Sequence, residues 1–150
     1  MAIVSGSLEA TLQAFKNKTL DTANKIYTSS IADVADIAVD RSPVLTGRLK
    51  ANWRASVLAS AYQTPDWMTF DPTGERTKSD LRAFILGQTI YQTIYIVNPI
   101  PYAYPIEFLN HSRKAPGGML RVAQAQWPHI VDANTRRFSG RFKIQGGKPV

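Results

Sequence analysis

Few residues in this chain are of types and spacings that do covalent chemistry. The two histidines, His111 and His129, lie far apart and show none of the short spacings that place two imidazoles on one metal ion. Glu107 precedes His111 by four residues, but the pattern between them is not helical, so a shared face is not expected. Asp66, Asp71 and Glu75 fall in one loop beside lysine and arginine, where a carboxylate pair for general acid–base work would have to form. No serine elbow, phosphate-binding loop or dinucleotide fingerprint is present. Gly117-Gly118 precedes a predicted helix, and a helix N-terminus can hold an anion. After Pro116 the two glycines read more simply as a sharp entry into that helix. With no cysteine, thiolate metal sites, thiol nucleophiles and disulfides are excluded, and a reducing compartment is compatible. The expectation is a protein without catalytic residue, metal or cofactor. A small hydrolase built on Asp71 and Glu75 is carried as an alternative.

Charge raises a second kind of chemistry. Eighteen Lys and Arg against eleven Asp and Glu give +7 over 150 residues. Residues 1–40 carry a net −2 and residues 41–150 a net +9. Arg136, Arg137, Arg141, Lys143 and Lys148 end the chain without an acidic neighbour. Such a tail is a candidate DNA-facing segment, because neutralising phosphates releases counterions. It is equally a solvated basic surface that keeps the chain soluble. Tyr91, Tyr95, Tyr102 and Tyr104 fall on strand-like segments, yet no basic residue lies between Phe84 and Asn110. A tyrosine-rich surface poor in charge suits a protein interface or a core better than a base-stacking platform.

The elements that would position these residues follow from periodicity. Leu8, Leu12, Phe15, Ala23, Ile26, Tyr27, Ile31, Val34 and Ile37 recur at three- and four-residue steps, predicting a long amphipathic helix capped by Ser7. Asn17-Lys18-Thr19 is a weak point where a break is expected, and the helix must stop before Pro43. From Leu8 to Asp40 such a helix would run roughly 50 Å, so it needs a break, a projection or a neighbour to cover it. Arg48 to Asn52 can add one helical turn, and Trp53 to Tyr62 alternates as a strand with one buried face. Residues 63–77 form a long loop with exposed-looking Trp67, Met68 and Phe70. Ser79 or Asp80 is expected to cap a short helix ending at Gly87, and Gln92 to Val97 reads as a central strand or one with a partner over each side. Met119, Val122, Ala123, Trp127, Ile130 and Val131 share one face of a last helix, kinked near Gln124 by Pro128.

The predicted class is therefore α+β. A long N-terminal helix and a C-terminal helix pack on a small, mainly antiparallel sheet, with a long loop and a short intervening helix. Residues 1–137 form one domain and 138–150 a basic, flexible tail. No stretch approaches the ~20 apolar residues that span a bilayer. No leader pattern follows Met1, so the chain is expected to stay soluble in the compartment where it is made.

Two stretches resemble a known family. Asp40-Arg41-Ser42-Pro43-Val44-Leu45-Thr46-Gly47-Arg48-Leu49-Lys50-Ala51-Asn52-Trp53, at the end of a long helix, is similar to a passage of the neck and tail-completion (head–tail connector) proteins of tailed bacteriophages. Asn98-Pro99-Ile100-Pro101-Tyr102-Ala103, then Ile106-Glu107-Phe108, then Lys114-Ala115-Pro116-Gly117-Gly118-Met119-Leu120-Arg121 resembles that family's second signature. In that signature a strand leads to an acidic-aromatic pair, a lysine-bearing loop and the opening of the last helix. Order and spacing match over roughly residues 8–135. Leu109-Asn110-His111-Ser112 departs from it, standing where the family often has a glycine.

The resemblance implies a structural virion protein without cofactor. Identical subunits would form a ring, six-fold by expectation, between the portal-bearing head and the tail tube, around the channel through which DNA leaves. Its partners would be copies of itself, the neighbouring portal or adaptor ring, tail terminator or tail tube proteins, and DNA in weak contact. It would reside at the head–tail junction of the virion, and in the host cytoplasm during assembly. Motif residues are Pro43, Thr46, Gly47, Trp53, Asn98, Tyr102, Glu107, Pro116 and Met119. Pro43, Thr46 and Gly47 read as turn chemistry, with Thr46 able to cap Leu49 or its neighbours, and Trp53, Tyr102 and Phe108 as core aromatics. A buried Glu107 would need a partner, and Arg48, Arg113 or Arg121 can supply one within or between subunits. Trp67, Met68 and Phe70 are candidates for contact with a neighbouring ring. A sequence-independent DNA-binding protein acting through its basic tail is the alternative.

Overall fold

The structure, a computed structural model, describes residues 2–58 and 64–140, with side chains from Leu8 onward. It is mostly helical with one small antiparallel sheet, an α+β arrangement. In chain order the elements are α1 (Ala2–Arg41), α2 (Arg48–Ala51), β1 (Arg54–Ser56), α3 (Glu75–Leu86), β2 (Tyr95–Val97), α4 (Ala103–Phe108), α5 (Leu120–Ala125) and α6 (Trp127–Ser139).

Helix α1 is unbroken over 40 residues. Ser7 therefore lies inside it rather than capping it. The expected break at Asn17-Lys18-Thr19 is absent because polar side chains there bond within the helix. The Gln13 amide donates to Asn17 (3.2 Å), and the Thr19 and Thr22 hydroxyls donate to the carbonyls of Phe15 (2.8 Å) and Lys18 (3.0 Å). Excess length is resolved as projection. Residues 8–19 are exposed, and α1 enters the body only from about Thr22.

Within the body, the small side chains Ala32, Ala35 and Ala38 on α1 let Leu81 and Ile85 of α3 and Met119 of α5 pack into one core with Trp53 and Ile100. The Trp53 indole N–H, which burial would otherwise leave without a partner, donates to the Ser42 hydroxyl at 2.7 Å. A polar cluster crosses the same packing. Arg82 of α3 bridges Asp33 (2.8 Å) and Asp36 (2.5 Å) of α1, and Asn134 of α6 donates to Asp33 (2.8 Å) and Ser30 (3.2 Å). Three helices are thereby tied at one level.

β2 is shorter than the strand expected over Gln92 to Val97, and the far end of the strand expected over Trp53 to Tyr62 lies outside the described residues; the register is Arg54↔Val97, Ala55↔Ile96 and Ser56↔Tyr95. β2 is not central: among the described residues it pairs with β1 alone. The segment read as strand-like around Tyr102 and Tyr104 is turn and helix, and Tyr91 lies in a turn. Helix α3 starts at Glu75, four residues before Ser79. Pro128 does not kink a helix from inside. The chain breaks at Gln126, which ends α5 and opens α6, so Pro128 occupies the first turn of a new helix, where no N–H is missed. α6 continues through Ser139 with Phe138 buried, so the ordered body extends past residue 137.

Candidate functional site

The turn after α1 and the long loop fold against each other. Thr46 Oγ1 accepts the Arg48 N–H at 3.3 Å. Gly47 adopts φ +87°, and a Cβ there would stand 2.4 Å from Pro72 N, so the position admits only glycine without backbone movement. The Asp71 N–H donates to the Gly47 carbonyl at 3.1 Å. Asn52 is fully buried and straps the loop, donating to the carbonyls of Arg48 (2.8 Å) and Asp66 (2.9 Å) and accepting the Asp66 N–H (2.8 Å).

The three loop carboxylates have separate local tasks. Buried Asp71 accepts the N–H groups of Gly74 (3.1 Å) and Thr77 (2.8 Å) and the Thr77 hydroxyl (2.7 Å), making it the cap of α3. Burial pushes its carboxyl up, and the bonds from Thr77, Gly74 and Thr73 more than reverse this, leaving it below the usual range. Asp66 is held low first by the Thr69 hydroxyl and then by the Met68 N–H, which close a local turn. Exposed Glu75 pairs with Lys78 at 2.9 Å. Carboxyls held ionised in this way accept hydrogen bonds and do not donate protons, so Asp66 and Asp71 do not fit a general acid.

Arg48 lies over this loop rather than at Glu107. Its Nε donates to the Trp67 carbonyl (3.0 Å), and its guanidinium stands 5.4 Å from the Trp67 ring centre and 5.0 Å from that of Phe70. Trp67, Met68 and Phe70 remain substantially open to solvent, as does Leu45 in the facing turn. A cation-braced apolar surface therefore covers this end of the molecule.

Glu107 forms a second centre. It projects from α4, is 8% exposed, and accepts the three successive N–H groups of Met119 (2.8 Å), Leu120 (3.0 Å) and Arg121 (2.8 Å) that open α5. Burial here is balanced chiefly by a helix N-terminus. Arg121 adds a contact at 3.5 Å and donates to the Glu107 carbonyl. Of the three arginines named for this role, Arg121 fills it, Arg48 is elsewhere and Arg113 is exposed. Gly118 makes the approach possible: it has φ +99°, and a Cβ would come within 2.8 Å of the carboxylate. Arg41, at the end of α1, holds the same loop through the carbonyls of Gly118 (3.1 Å) and Pro116 (2.8 Å). Asn98 ties the strand end to α2, donating to the Leu49 carbonyl at 2.8 Å and accepting the Ile100 N–H.

Two aromatics read as core are not core. Tyr102 is 39% and Phe108 51% exposed, because α4 turns both outward, and Phe108 pairs with exposed Tyr104 at 4.9 Å. Beside them a cleft of about 570 Å³ opens between Ile96, Ile100, Leu120 and Phe108, with Arg121 at its rim. Arg136 is paired with Asp132 (2.9 Å), and Arg137 lies over the Phe138 ring. Arg141, Lys143 and Lys148 lie outside the described residues. Among the described residues no three of His, Asp and Glu gather as a metal site would require.

Two features have no place in the sequence analysis: the cap made by Asp71 and the Asp33–Asp36–Arg82–Asn134 cluster. The cluster has a signal, since Asp33 and Asp36 interrupt an apolar stripe three residues apart. The cap has none, because a contact that reaches six residues along the chain depends on the loop's path. Comparisons of the chain with family models, with curated proteins and with solved structures each find no match.

Proposed function

We propose that this protein is a structural subunit of a tailed phage, forming a homo-oligomeric ring at the head–tail junction that joins head and tail and surrounds the DNA channel. The observation that carries this reading is the union of the two resembling stretches, Asp40–Trp53 and Asn98–Arg121, which 44 residues separate in sequence. Arg41 holds the carbonyls of Pro116 and Gly118, and Asn98 holds that of Leu49. Trp53 and Met119 share the core beneath.

The motif residues thus build a scaffold, and the polar side chains of Thr46, Asn98 and Glu107 are committed to turns and caps. What the scaffold offers to solvent is apolar: Leu8, Leu12 and Phe15 on α1, Trp67, Met68 and Phe70 on the loop, Tyr104 and Phe108 on α4. Separate apolar patches on one small body suit a subunit with neighbours on several sides. Copies of the chain would meet side to side. Portal or adaptor and tail proteins would meet the Trp67–Phe70 end, and DNA would make only weak contact with the basic C-terminal residues. No cofactor enters this role. Among the described residues no helix is long and apolar enough to cross a membrane.

Antibody labelling of purified particles under the electron microscope tests the reading. Label at the head–tail junction is expected, and label on the capsid shell only, or none, refutes it.

A further inference from the structure

We propose that the exposed stretch of α1 at residues 8–19 is an arm that docks into an apolar groove on the body of a second copy of this chain. The proposal deepens the ring reading, on which it rests for the supply of a second copy.

The arm carries Leu8, Leu12 and Phe15, each 58–60% exposed, at spacings of four and three. At 100° per residue these side chains fall within an arc of about 60°, the narrow apolar stripe by which a helix lies in a groove. Glu9, Lys16 and Lys18, the charged side chains of residues 8–19, flank that stripe and leave it apolar.

The body carries a groove of matching character. The cleft beside Phe108 shares Ile96, Leu120 and Gln124 with a second hollow, and that hollow shares Trp127 with a third, which reaches Ala23 and Tyr27 of α1. α1 walls the second and third hollows from Ala23 to Val34, ~17 Å by helical rise. The opposite wall comes largely from the stretch Phe84–Asn110, in which Glu107 is the only charged residue and is already bonded to three N–H groups. Arg121 at the groove rim, half exposed, is the counterpart of Glu9 on the arm.

Geometry makes the occupant another molecule. The arm continues in one unbroken helix the segment that walls the groove, so it cannot enter its own groove without breaking α1. Arm against arm is the poorer pairing. The three side chains offer on the order of 300 Å² each way, well short of the ~800 Å² per partner of a stable complex. An arm in a groove buries the groove walls as well, and in a closed ring each copy gives one arm and receives another.

The chain has no cysteine, so paired single-cysteine variants test the contact on the full protein. Leu12→Cys on the arm is mixed with Gln124→Cys at the groove centre, both at exposed positions, and oxidised mildly at high concentration. A disulfide-linked mixed dimer is expected to dominate over either homodimer. Adding Leu8→Asp to the arm variant should lower its yield about tenfold or more, as for a charge placed at an interface centre. Adding Leu8→Met should leave it unchanged. Predominance of the Leu12→Cys homodimer would overturn the proposal in favour of arm pairing. A mixed-dimer yield no higher than with Arg76→Cys, on α3, would overturn it outright. A positive cross-link with no particle label at the junction would retire the phage reading and leave the docking. Junction label without the cross-link would do the reverse.

Discussion

Replacement of Glu107 probes the arrangement at the mouth of α5. Glu107→Ala removes the acceptor of three N–H groups, of which that of Met119 belongs to a residue 1% exposed. Loss of a helix cap costs about 0.5–2 kcal/mol, and each buried donor left without a partner costs about 1–3 kcal/mol where water cannot reach it. Water reaches the Leu120 and Arg121 groups in part, so the expected loss is about 3–4 kcal/mol. A domain of this size has roughly 5–15 kcal/mol in total. At about 2–4 °C per kcal/mol, Tm should fall by on the order of 10 °C. Glu107→Gln keeps one carbonyl oxygen for two of the three N–H groups but turns an amide NH2 toward the third, and should lose about half as much. Urea and thermal melts of the three proteins, followed by far-UV circular dichroism, read the series. If the alanine variant lies within about 1 kcal/mol of the parent, or the glutamine variant is the less stable, the carboxylate is not the cap that this geometry describes.

Two further substitutions test the loop. Gly47→Ala forces a side chain into a left-handed backbone and against Pro72, and should cost about 2–4 kcal/mol in urea melts, whereas a neutral effect would mean the turn can relax. Asp71 has its folded carboxyl below its unfolded value, so its contribution is present above the unfolded pKa near 3.8 and is lost as pH falls through the folded one. Asp71→Asn should therefore lower stability at pH 7 by about 1–2 kcal/mol, the scale of a lost cap, and flatten the acid limb of stability against pH. An acid limb as steep in the variant as in the parent would show that other carboxylates account for it.

The sequence made the architecture legible where periodicity was strong and the signal local. The run from Ile26 to Ile37 announces a buried helix, Pro43 its end, and Gly87 the end of α3. Alternation from Trp53 to Tyr62 marks an extended segment without saying how much of it finds a partner; among the described residues of that stretch Arg54–Ser56 pair, and Ala59 to Tyr62 lie outside the described residues. Tyr102 to Phe108 looked extended because Pro101 and Pro105 break the helical pattern, yet Pro105 lies in the first turn of α4, where its missing N–H is harmless. From its apolar neighbours Glu107 is legible as a carboxylate in need of a partner, with Arg121 among the cations within reach; three peptide N–H groups do most of that work, and no side-chain spacing records them. The arm was foreshadowed by arithmetic alone, since a helix of that length exceeds the body it serves.

That length has a mechanical meaning. With its base gripped by Arg82 and Asn134 through Asp33, α1 acts as a lever whose N-terminal end at Ala2 lies about 47 Å away, at ~1.5 Å of rise for each of the intervening residues. A tilt of about 10° at that fulcrum would sweep the tip through roughly 8 Å, about one and a half turns of helix pitch. The polar clamp thus governs how far a neighbour can be reached, and small changes in it would tune the curvature of any assembly the chain enters.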